Sequence, residues 1–146
     1  MKLNKLDLEL VDRATQIIKD RFQKDSINHT VGCALRDKDG NIFVGVNLDM
    51  DGMHSVCGEQ VAFGNALTQG VKEFDTIVAV GYTGKDAKVI APCGSCRQFM
   101  SKYAPDIYVI IEDKGKLIKV KFDEILPYAY KLHLKRSWYN QCQKLR

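Results

Sequence analysis

Residues 75–82 read Asp75-Thr-Ile-Val-Ala-Val-Gly-Tyr82, a nearly continuous apolar run without polar alternation. A strand of that kind buries both faces, so it belongs inside a sheet that carries helices on either side. The rest of the chain is consistent with that centre. Residues 4–23 set Leu6, Leu10, Ala14, Ile17, Ile18 and Phe22 at helical spacing among charged residues, which predicts an amphipathic first helix. Residues 30–36 and 41–46 flank Asp37-Lys-Asp-Gly40 and read as a β-hairpin. Residues 47–56 lack a period and form a loop, and 57–69 suit a helix ended by Gly70. After the apolar run a polar loop leads to Pro92, which opens a helix through about Tyr103. Residues 107–111 and 117–120 flank the turn 112–116 as a second hairpin, and a short helix lies near 123–126. The alternation predicts an α/β fold, a three-layer α/β/α sandwich around one mixed sheet.

At 146 residues, with 45% hydrophobic and 27% charged, the chain suits one ordinary globular domain. No apolar run approaches the ~20 residues of a membrane span, and the charged start is no signal peptide. A soluble, cytoplasmic protein with no membrane partner is expected. The net charge of +4 is unevenly placed. Five of the 22 cations (Lys131, Lys135, Arg136, Lys144, Arg146) lie in residues 131–146, which hold no acid; residues 1–130 keep 17 against 18, a net −1. The chain therefore divides into a body, 1–130, and a basic C-terminal tail, 131–146. Trp138, Tyr139, Cys142 and Leu145 recur in the tail at helical spacing. A nucleic-acid strand would have to be held by that tail alone, so nucleic acid is not the expected partner.

Five cysteines, Cys33, Cys57, Cys93, Cys96 and Cys142, are an odd number for a disulfide framework. Cys93-Gly94-Ser95-Cys96 is a Cys-x-x-Cys, and Cys57 stands at a second predicted helix start. Helix N-termini favour thiolates, the form that binds metal. Three thiolates with one position open is the pattern of a catalytic zinc site. Glu59, two residues after Cys57, can face the open position and carry protons between water and substrate. Cys57-x-Glu59 with Pro92-Cys93-x-x-Cys96 reproduces the zinc-deaminase signature, cysteine replacing histidine at its first position. His54 offers another reading, a closed Cys3His structural zinc with no catalytic role. Cys33 reads as a small core residue, while Cys142 and His133 read as bystanders.

These residues, together with Asp39-Gly40-Asn41-Ile-Phe43, Gly45-Val-Asn47, the run from Pro92 to Gln98 and Leu126-Pro127, resemble the cytidine deaminase family. The likeness is strongest to its small homo-oligomeric members and the related blasticidin S deaminases, and it runs from about Leu8 to Tyr130. It implies a five-stranded mixed sheet, one Zn2+ per subunit on Cys57, Cys93 and Cys96, and Glu59 as the proton shuttle. It also implies attack of zinc-activated water at C4 of a cytosine-type ring, with loss of ammonia. Asn47 and Asp49 match sugar-holding positions, although the family's usual residue at the second is a glutamate. Tyr130 matches an aromatic that enters a neighbouring subunit's site in a homotetramer or dimer. His29 stands where a phenylalanine faces the sugar. Gln60 replaces an arginine that offsets thiolate charge, a role that passes to Arg97. The implied substrate is cytidine or deoxycytidine, with blasticidin S or another aminopyrimidine derivative as the alternative.

Overall fold

A computed structural model describes residues 1–24, 28–49 and 55–131. His54, His133 and the tail residues Trp138, Tyr139, Cys142 and Leu145 lie outside the described residues.

The first helix, α1 (Lys5–Arg21), starts where Asn4 and Asp7 cap each other: the Asp7 amide donates to Asn4 Oδ1 at 2.9 Å and the Asn4 amide to Asp7 Oδ2 at 3.1 Å. Leu10, Ala14 and Ile18, one turn apart, are wholly buried. Strands β1 (Val31–Asp37) and β2 (Ile42–Val46) form the expected hairpin. Helix α2 (Gly58–Thr68) leads to β3 (Phe74–Tyr82), the apolar run. Next come a short β4 (Ala87–Ile90) and α3 (Gly94–Tyr103). Strands β5 (Tyr108–Asp113) and β6 (Lys116–Lys121) precede α4 (Phe122–Ile125). The β5–β6 turn has Lys114 and Gly115 both at positive φ, as a two-residue hairpin of the right twist requires.

The sheet runs β2-β1-β3-β5-β6, with β3 and β5 parallel and the other pairs antiparallel. The central strand β3 pairs β1 along one edge and divides its other edge. Thr76–Val78 pair β5, and Ala79–Tyr82 pair β4. The polar loop expected before Pro92 is therefore partly a sixth strand. Its residues are exposed apart from Val89, so the sequence carries little alternation there, and the edge of β3 supplies the order.

Alternate residues of the same strands feed two cores. Ala34, Val78, Val80 and Ile110 pack with Leu10, Ala14 and Ile18 of α1. Cys33, Leu35, Ile77 and Val109 pack with Phe63 and Ala66 of α2, Met100 of α3 and Phe122 of α4. Each large side chain buried this way contributes roughly 1.5–3 kcal/mol. These are the three expected layers. Among the described residues no helix is long and apolar enough to cross a membrane.

Candidate active site

The site forms where α2 and α3 begin, on the same side of the sheet. Gly45 of β2 allows α2 to approach closely: a Cβ there would collide with the Ala62 amide and lie 2.6 Å from the Gly58 carbonyl oxygen. Cys57 is the N-cap of α2 and Cys93 the N-cap of α3, both with extended backbone. Cys96 lies in the first turn of α3 and is wholly buried. Their sulfurs all lie within 4.8 Å of one another, and Cys57 Sγ is 3.6 Å from Cys93 Sγ. Tetrahedral Zn–S bonds of about 2.3 Å require sulfurs roughly 3.8 Å apart, so the three thiols fit one zinc ion.

The expectation that both helix starts favour thiolates holds for Cys93 alone; Cys57 caps α2 without accepting from its amides, so burial prevails there. Burial works to raise Cys93, but the Cys96 amide, which donates to its sulfur at 3.5 Å, and the Cys57 thiol bring it below the usual range. Burial pushes Cys57 up, with the Cys93 and Glu59 charges adding to the rise. Cys96 is pushed far up by burial and by the Glu59 charge. A bound cation reverses that balance, because the thiolate is the ligand and binding releases the protons.

Glu59, in the first turn of α2, is only 5% exposed, and its burial raises its carboxyl above the usual value. It lines a cleft of about 250 Å3 with Cys57 and Cys93, walled by Val31, Val56, Ile90 and Ala91. Asn47 and Ser55 also border this space. The apolar wall was not singled out in the sequence. Ile90 and Ala91 reach the cleft through the β4 pairing, and Val31 and Val56 carry no signal of a site by residue type alone.

The predicted substrate contacts divide. Asn47 borders the cleft, yet its Oδ1 accepts from the Thr30 and Val31 amides at 2.8 and 2.9 Å, and its Nδ2 donates to the Asn28 carbonyl at 3.3 Å. His29 Nδ1 donates to the Asn47 carbonyl at 2.8 Å, so a neutral ring presents Nε2 as an acceptor. Asp49 Oδ1 accepts from the Ser55 hydroxyl at 3.2 Å. Arg97 donates from Nε to the Pro92 carbonyl at 2.9 Å and from Nη1 to the Ile125 carbonyl at 3.1 Å, joining the ligand loop to α4. Tyr130 is not brought to this chain's cleft. Its side chain is 68% exposed beside Gln98, Phe99 and Tyr103, and its carbonyl accepts from Gln98 Nε2 at 2.8 Å.

Residues 5–112 match the family model for the cytidine and deoxycytidylate deaminase zinc-binding region. The chain belongs to that family. Within this deaminase family it is 41% identical over 134 residues to a blasticidin-S deaminase of Bacillus cereus, covering 88% of this chain and 94% of that protein. It is 30% identical over 103 residues to a cytidine deaminase of Halalkalibacterium halodurans, covering 68% and 76%. A cytidine deaminase crystal structure from Burkholderia pseudomallei superposes with a TM-score of 0.70 at 29% identity, over 88% of this chain and all of the other. The deaminase is thus a hydrolase of a zinc-binding family, and Cys57, Cys93 and Cys96 are placed to bind one metal ion.

Proposed function

We propose that this deaminase hydrolyses the exocyclic amine of a cytosine ring carried on a sugar-like group, with blasticidin S as the preferred type of substrate. The observation that carries the chemistry is buried Glu59 on the wall of a cleft that also holds Cys57 and Cys93. At about 250 Å3 the cleft is on the scale of one heterocycle, below the ~300–1,000 Å3 of drug-sized sites, so larger substituents extend from its mouth.

When bound, zinc supplies Lewis-acid activation of water. Glu59 takes one proton from the attacking water on a carboxylate oxygen and passes it to the ring nitrogen, then takes the second from the hydroxyl now on C4 and passes it to the amine, which leaves as ammonia. Val31, Val56, Ile90 and Ala91 pack the ring and exclude bulk water. Asn47 keeps one Nδ2–H for a substrate hydroxyl, and Asp49 offers its second carboxylate oxygen. His29 Nε2 accepts from a polar substituent. Arg97, next to Cys96 in sequence, is assigned the offset of thiolate charge, its Nε and Nη1 being held by the Pro92 and Ile125 carbonyls. Tyr130 completes the site of a neighbouring subunit in a homotetramer. The catalytic unit is residues 1–130, with a basic extension, in a cytoplasmic enzyme.

The substrate preference is supported by the extent and level of identity to the Bacillus cereus protein. A cytidine or deoxycytidine substrate is the second reading, favoured by the structural likeness to the Burkholderia pseudomallei enzyme. Ammonia release from blasticidin S, cytidine, deoxycytidine and cytosine tests both. Highest kcat/KM on blasticidin S is the expected result, whereas preference for cytidine or deoxycytidine selects the second reading. No release from any of the four by the zinc-loaded chain overturns both.

A further inference from the structure

The two helix starts that carry the thiols come from separate parts of the chain, so something must hold them together before a metal arrives. Thiolates a few ångströms apart repel one another. Gln60 follows Glu59 on α2, and Ser95 lies between Cys93 and Cys96 on α3. Gln60 Nε2 donates to Ser95 Oγ at 3.2 Å. Outside the thiols and Glu59, it is the side-chain bond seen between the two helix starts among the described residues. Both residues are neutral, so the bond constrains position without adding charge.

We infer that Gln60 and Ser95 are positioning residues that hold the thiols of α2 and α3 at the spacing one zinc ion needs. The Cys93–Cys96 turn is closed within α3 by the Cys96 amide, and apart from the thiol contact itself no side-chain bond from that turn reaches Cys57 among the described residues. The Gln60–Ser95 bond fixes it from the side, three residues along from Cys57. Loss of either partner widens the range of sulfur separations and speeds metal release, as loss of a residue supporting metal ligands generally does. The inference rests on zinc occupying the three thiols.

Zinc release from the loaded full-length chain into a coloured chelator tests it. Gln60→Ala and Ser95→Ala are each expected to release zinc faster, on the order of tenfold. The double variant is expected to release it no faster than either single, because one bond is removed in every case. Ser95→Thr keeps the hydroxyl and should restore the wild-type rate. The metal-free forms should share the wild-type melting temperature, which separates a spacing role from a general loss of stability. Unchanged release in Gln60→Ala, additive effects in the double variant, or an equal fall in metal-free melting temperature would overturn the inference. A wild-type chain that takes up no zinc would overturn the metal assignment itself.

Discussion

Glu59 is a carboxylate buried in a largely apolar cleft. A carboxylate at 5% exposure is expensive to bury, and apolar Val31, Val56 and Ile90 share its cleft. It lines the cleft beside Cys57 and Cys93, where the proposed proton transfer would take place. Glu59→Gln preserves shape and most hydrogen-bonding capacity but cannot accept a proton. Turnover is expected to fall by roughly 10²–10⁴, with zinc content unchanged. Ammonia assays beside metal analysis of the same sample check this, and full turnover with zinc retained would remove Glu59 from the mechanism. At this scale the residue types were informative in sequence: three cysteines, a glutamate and a proline at set spacings carry their chemistry visibly. Asn47 was less legible. Three of its hydrogen bonds serve the backbone at 28–31, partners that no local spacing announces.

Among the elements, α1 shows how the layer opposite the site is tied to the sheet. Asp7, 1% exposed on the first turn of α1, meets Arg36 of β1 at 2.9 Å and Lys119 of β6 at 2.8 Å. Arg36 also pairs with Asp75 of β3 at 2.7 Å, so one network joins a helix to three strands. Burial would raise Asp7, but the Lys119, Asn4 and Arg36 contacts outweigh it and hold the carboxyl below its usual value. Asp75 is lowered too: burial opposes, and Arg36 and Thr76 prevail. A lowered folded pKa means the stabilisation is complete above the unfolded value of about 3.9 and is lost as pH falls through the folded one. Urea midpoints should therefore hold from neutral pH to about 5 and drop below about 4. Asp7→Asn is expected to cost about 3–5 kcal/mol at neutral pH, by leaving Arg36 and Lys119 short of a buried partner. It should also flatten the acid-side decline; a variant with the same midpoint and the same acid profile would show that the network contributes nothing.

At the scale of the whole molecule, the proposed division into a catalytic body and a basic tail, and the proposed assembly, are open to direct test. The family match ends at residue 112, while the described fold continues through α4 to Lys131. A chain ending at Tyr130 is expected to keep its zinc and its turnover, with a light-scattering mass of four subunits like that of the full chain. A fully active monomer would refute a site shared through Tyr130, and loss of zinc on truncation would refute the body-and-tail division. The sequence by itself determined the layer order and singled out the three cysteines that the fold places to bind one metal ion. Periodicity of 3.6 or 2 residues and the chemistry of Cys, Glu and Pro are local properties of the chain. Tertiary structure alone decided β4, the Ile90 and Ala91 wall, the Gln60–Ser95 bond, and the network around Asp7. Each of these depends on which distant segment lies alongside: β4 is ordered by the edge of β3, and Asp7 is satisfied by Lys119. Neither partner is specified by its neighbours in sequence, because hydrogen bonds and packing act across space rather than along the chain.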